Sequence, residues 1–355
     1  MEPFKADTLP VLIGSLPMDS HKEATELILE STPEIPLWAQ LPKYPEEGMM
    51  EQFLTGMPGL VKHEGGSYID TGAEDFDTEM LSFFEEYLAV NSGTQTLEES
   101  RFVFTPETGK GFQEFLSQVD AAGKSFKALK GQVTGPVTFG TSVKDQNDKA
   151  IFYDDQLRDA AVKKIAMNAA WQALEFSGRG YKPIIFIDEP GLAGFGTSAF
   201  ITITREDVQQ AVNEVVEAVH SKGGIAGVHV CANTEWDLLL ASEIDIISFD
   251  AYAYFDNFIL FPDVIKEFLG RGGILAWGIV PTRNPEEIAA ETVDSLMEKF
   301  EGQADQFEKI GVDRDTLLNR LFITPSCGTG SIDLDSAKKV LELTKGLSDR
   351  IRQSR

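Results

Sequence analysis

The chain is poor in several residue types, and each shortage narrows what it can be. It has only 2 cysteines in 355 residues, too few for the disulfide framework of a small secreted domain. It has only 4 histidines, so each one invites a reason. Basic residues are in deficit: 31 Lys and Arg against 57 Asp and Glu leave a net charge of -26, which argues against a nucleic-acid backbone or an anionic membrane as partner. No apolar run approaches the roughly 20 residues of a membrane span. The first residues, Met1 to Asp7, lack the basic stretch and apolar segment of an export signal. The expectation is a cytoplasmic protein that acts on small molecules, with no nucleic-acid or membrane partner. Its two thiols are then available as ligands.

What the chain does have is a repeated beat of short apolar strand, polar turn and helix, with a hydrophobic content of 42% that can build a large core. Strands are expected at Pro10–Ile13, Pro36–Gln40, Phe126–Val133, Pro183–Ile187, Ile225–Val228, Ile244–Phe249, Ile274–Ile279 and Leu321–Thr324. Helices are expected from Ser20 (with Glu23 in a capping-box pattern), from Glu47 to Leu54, Asp77 to Leu88, Gln156 to Phe176, Glu206 to His220, Glu286 to Phe307 and Asp335 to Leu347. Eight strands each followed by a helix predict an α/β protein of the (β/α)8 TIM-barrel class, a single domain over 1–355. The acidic, aromatic segment 59–123 breaks the beat and is expected as an N-terminal insertion or lid.

The barrel would gather groups at the C-terminal ends of its strands. The strand period of two places His229 and Cys231 on one side, and the other cysteine, Cys327, also follows a strand. His, Cys and Cys form a soft ligand set suited to zinc, with a fourth position left for a carboxylate, water or substrate. Asp250 is the expected fourth ligand, its alternative being a helix cap. Asp188 and Glu189 are expected to face the same mouth, either to meet a substrate ammonium or to orient His229. Thr134-Gly135-Pro136 allows close backbone approach to a ligand.

The ordered set Ile13-Gly14-Ser15, Lys130 to Thr138 (KGQVTGPVT), Asp188-Glu189-Pro190, His229-Val230-Cys231 and Ser326-Cys327-Gly328 resembles the catalytic barrel of cobalamin-independent methionine synthase. That family shares a fold with uroporphyrinogen decarboxylase and with corrinoid-dependent thiol methyltransferases. The resemblance implies a zinc-dependent transfer of a methyl group to homocysteine or a related small thiol. It makes His229, Cys231 and Cys327 the catalytic zinc ligands, places Ser15 and Asp188 against the amino-acid part of homocysteine, and puts Thr134 and Gly135 in the pocket wall.

Some positions depart from the family. Asp250 stands where the family has a glutamate ligand, and Lys43 stands where it has a glutamate for the substrate amino group, which would favour a carboxylate or sulfonate. With no room for the duplicate N-terminal half of the long synthase, the chain resembles the short, core form. Its expected donor is methylcobalamin on a corrinoid protein rather than folate. Two other functions remain open at the level of sequence. One is a metal-free lyase like uroporphyrinogen decarboxylase; the other is a non-catalytic zinc-containing partner of a corrinoid protein.

Overall fold

The computed structural model describes residues 4–63, 65–123, 125–197, 200 and 202–355, so Glu64 of the expected insertion lies outside the described residues. Its centre is a curled parallel sheet of six strands: β3 (Leu129–Thr134), β4 (Pro183–Asp188), β5 (Ile225–Val230), β6 (Ile246–Phe249), β7 (Ile274–Val280) and β8 (Leu321–Pro325). They pair in sequence order, β3 to β8. Every residue of β5 to β8 is buried, as expected for strands with both faces covered.

Alternation along the strands sorts two cores. Ile185 and Ile187, Val228 and Val230, and Leu275 and Trp277 join the large cluster under the surrounding helices. Ile184, Phe186, Ile225, Ile246, Ile274 and Phe322 belong to a smaller cluster on the opposite face. Continuing along that inner face, the next residues are polar: Lys130, Gln132, Asp188, His229 and Ser248. The small apolar cluster is thus a floor, and the polar groups begin where it ends.

The expected strands Pro10–Ile13 and Pro36–Gln40 form isolated bridges instead of ladders, Pro10 to Ile323, Ser15 to Gln40 and Leu37 to Lys130. Pro10 and Pro36 have no N–H to contribute to a ladder. The contacts that remain are individually good. The Val11 amide donates to the Ile323 carbonyl at 2.9 Å, the Gln40 amide to Gly14 at 3.1 Å and the Lys130 amide to Pro36 at 2.9 Å.

The helices follow the expected order with shifted ends. One expected helix divides into Pro285–Ala290 and Val293–Lys309, because Thr292 and Ser295 form a capping box that starts the second. Segment 59–123 contains an antiparallel hairpin, β1 (Leu60–His63) with β2 (Gly66–Ile69), and the helices Phe76–Ser92 and Lys110–Ala121. Its Phe102, Phe104 and Phe112 are part of the main core, where Phe104 and Phe112 both meet Trp38 and Trp171. Lys110–Ala121 approaches the second N-terminal segment closely: a Cβ at Gly111 would lie 2.1 Å from the Ala39 carbonyl oxygen.

Candidate active site and metal centre

Parallel register brings the site together. Thr134 pairs with Asp188, Asp188 with His229, and His229 with Ser248, so the four form one row across β3 to β6. In-register residues of a parallel sheet point to one face, and here that face carries the small apolar floor. Cys231 lies two residues beyond His229, and Cys327 two beyond the end of β8.

The ligand atoms of His229, Cys231 and Cys327 all lie within 4.8 Å of one another. His229 is buried; its Nδ1 is 2.9 Å from Ser248 Oγ, while its Nε2 has no hydrogen-bond partner. A buried ring nitrogen without a partner, next to two thiols, fits a soft divalent metal. The neighbouring Cys327 thiol holds Cys231 well below the ordinary thiol range, against the effect of burial, with His229 and Arg283 adding to the lowering. The Cys231 group beside it, together with burial, pushes Cys327 up.

Beside these ligands opens a cavity of about 490 Å³ lined by Ser15, Gln40, Gln132, Thr134, Asp188 and both cysteines, with Met49, Phe53 and Val133 as its apolar part. Asp188 is half-buried, and its buried Oδ1 lacks a partner. Burial raises its carboxyl above the usual range, with His229 and Lys130 opposing. Lys130 lies fully buried beneath, its Nζ donating to the Ile13 carbonyl at 2.5 Å and sitting 4.3 Å from the Phe186 ring centre. Ser15 accepts from the Gly330 amide at 3.1 Å, which locks it to the loop that follows Cys327.

Other expected site residues are placed differently. Glu189 points away from the cavity, and its carboxylate accepts from the Val137 amide (2.9 Å), the Thr138 amide (2.8 Å) and the Thr138 hydroxyl (2.6 Å). Burial still pushes it up to about 7. Gly135 makes room for this, because a Cβ there would lie 2.1 Å from the Glu189 carboxyl carbon. Thr134 lines the cavity and donates to the Met49 carbonyl at 2.6 Å. Lys43 is exposed and pairs with Asp19 at 2.9 Å. Asp250 is buried and caps helix Ala251–Phe258 through the Ala253 amide at 2.9 Å; it is not among the residues whose ligand atoms cluster.

No family model and no curated protein matches this chain. Its fold does have a counterpart. The B12-independent methionine synthase of Shewanella sp. W3-18-1, solved in complex with selenomethionine, superposes with a TM-score of 0.55 at 15% identity, over 98% of each chain. The resemblance read from the motifs therefore holds in the fold of the whole chain. A methyltransferase from Methanosarcina mazei aligns at a TM-score of 0.42 and 16% identity, over 68% of this chain and 66% of that one. A GH20 catalytic module of the pneumococcal exo-beta-D-N-acetylglucosaminidase StrH aligns at 0.48 and 9%, over 97% and 85%.

Residues outside the sequence reading also shape the site. Ser248 could have been found from its register with His229. Arg283, just after β7, donates from Nη2 to the Cys231 carbonyl and from Nη1 to the Tyr254 hydroxyl at 3.1 Å. Its one sequence signal is its position in a turn that follows a strand.

Proposed function

We propose that this chain is a zinc-dependent methyltransferase that moves a methyl group onto the sulfur of homocysteine or a related small thiol. The observation that carries this reading is the unpartnered Nε2 of His229 within 4.8 Å of two thiols, at the wall of a cavity large enough for such a substrate. The whole-chain likeness in fold to a methionine synthase supports it. In this reading the bridged segments at Pro10 and Leu37 stand for the first two strands of a (β/α)8 ring, and 59–123 is an insertion into a single domain.

His229, Cys231 and Cys327 would hold the zinc, with a fourth position for water, a carboxylate such as Asp250, or the substrate. Bound zinc supplies the Lewis acidity that releases the proton of a substrate thiol near neutral pH. The chain's own residues do the rest. Ser248 orients His229, and the carboxylate of Asp188 and the hydroxyls of Ser15 and Thr134 bind the polar end of the thiol. Met49 and Phe53 exclude water beside its methylene chain. With the thiol so aligned, the sulfur attacks the methyl carbon and the donor leaves with the bonding electron pair. The donor of this reading is methylcobalamin on a corrinoid protein, and the reducing cytoplasm is the compartment in which both thiols persist.

Metal analysis and an assay with homocysteine test the reading, with methylcobalamin and a methylated folate as alternative donors. The expected result is about one zinc per chain, transfer from methylcobalamin, and loss of both zinc and transfer in Cys231→Ser and Cys327→Ser. Zinc-free protein that remains active, or serine variants that transfer at the original rate, would overturn it. Transfer from the folate alone would overturn the choice of donor.

A further inference from the structure

The N-terminal wall of the cavity carries a hydrogen-bond relay. Gln40, which lines the cavity, donates from Nε2 to Gln52 Oε1 at 2.8 Å. Gln52 is buried and donates from its own Nε2 to the Thr108 backbone carbonyl at 2.7 Å. A backbone carbonyl can only accept, so it selects the NH2 end of Gln52. The Gln52 oxygen must then face Gln40, and it selects the NH2 end of Gln40 in turn. Reversing either amide would set oxygen against oxygen or NH2 against NH2 in a buried place. What remains for the cavity is the Gln40 carbonyl oxygen, which accepts no hydrogen bond among the described residues.

Thr108 is held where the relay needs it. It immediately precedes the cap of helix Lys110–Ala121, and its hydroxyl accepts from the Thr105 amide at 3.0 Å. The contact of Gly111 with the Ala39 carbonyl presses that helix start against the residue preceding Gln40. Segment 59–123 thereby reaches the cavity wall without lining it.

We propose that Gln40 is a specificity-determining residue, and that Gln52 and Thr108 fix it as a hydrogen-bond acceptor. The proposal deepens the thiol-binding reading above and rests on it. The wall at Gln40 would take a thiol that brings an ammonium, amide N–H or hydroxyl, and would disfavour one that brings a bare carboxylate. Lys43, whose ammonium pairs with Asp19 outside the cavity wall, does not offset this preference.

Titration calorimetry on the zinc-loaded protein tests the relay with two thiols of equal chain length, homocysteine and 4-mercaptobutyrate, which lacks the amino group. Wild type is expected to bind homocysteine more tightly. Gln40→Leu and Gln52→Leu should each weaken homocysteine roughly tenfold and leave 4-mercaptobutyrate within about twofold. Gln40→Met, which keeps the length of the side chain and removes its acceptor, should lose the preference likewise and stands in for a Leu variant that fails to fold. Unchanged discrimination in a folded Gln40→Leu or Gln40→Met overturns the relay and leaves the methyltransferase reading standing. Wild type that binds neither thiol overturns both.

Discussion

His229 and Ser248 face each other across the register of β5 and β6, with Nδ1 and Oγ 2.9 Å apart. The hydroxyl fixes the plane of the ring and directs Nε2 to the two thiols. Removing such a partner ordinarily weakens metal binding by roughly 10–100-fold. Ser248→Ala is expected to do so in competition with a chelator, with little change in thermal stability. Equal zinc affinity in the variant would show that packing alone sets the ring.

Asp250 uses one oxygen as a helix cap, and its other oxygen lies 3.8 Å from Arg283. Asp250→Ala should cost about 1–2 kcal/mol through the lost cap, while Asp250→Asn, which can still cap, should bind about one zinc with near-native stability. Loss of the metal from the Asn variant would make Asp250 the fourth ligand.

Gly135→Ala would drive a Cβ into the Glu189 carboxylate and expel it from three hydrogen bonds, at an expected cost of about 3 kcal/mol in chemical denaturation. Glu189 also sets a pH dependence. Burial raises its folded value from 4.5 to about 7, so the folded state holds the proton more tightly than the unfolded chain does. Its contribution is fully present below 4.5 and is lost as pH rises through about 7. Unfolding curves of Glu189→Gln should lack that decline.

Lys164 is buried with its Nζ on the Arg101 carbonyl at 2.5 Å. Burial, aided by the Arg101 charge, lowers it from 10.5 to about 7. Between those values the unfolded chain binds more protons, so stability rises with pH across the window. Lys164→Met should remove that rise and stabilise the protein at neutral pH by about 1–3 kcal/mol. A variant less stable than wild type at pH 7 would show that the bond to Arg101 outweighs the buried charge.

The strands β3 to β8 were legible because each is an apolar run between turns, and the convergence of Asp188, His229, Cys231 and Cys327 followed from period and strand ends. Glu189 shows where that reading slipped. Neighbours on a strand point to opposite faces, so the same period that aims Asp188 into the cavity turns Glu189 towards helix Pro136–Ser142. The segments at Pro10 and Pro36 meet the sheet through isolated bridges for a different reason: their apolar runs read as strands, but each proline withholds a donor that a ladder needs. The packing of segment 59–123 was not readable, because Phe104 and Phe112 meet Trp38 and Trp171 in a cluster without sequence period. The link from Thr108 through Gln52 to Gln40 likewise spans distances that no local pattern encodes.

The pairing of β8 with the segment at Pro10 has a consequence for synthesis. Ile323 exchanges hydrogen bonds with Leu9 and Val11, far earlier in the sequence. A nascent polypeptide whose ribosome has not yet released Leu321 to Cys327 has His229 and Cys231 but neither Cys327 nor the bridges to residues 9–11. In the zinc-binding reading, closure of this trio must therefore wait until the ribosome has released Cys327.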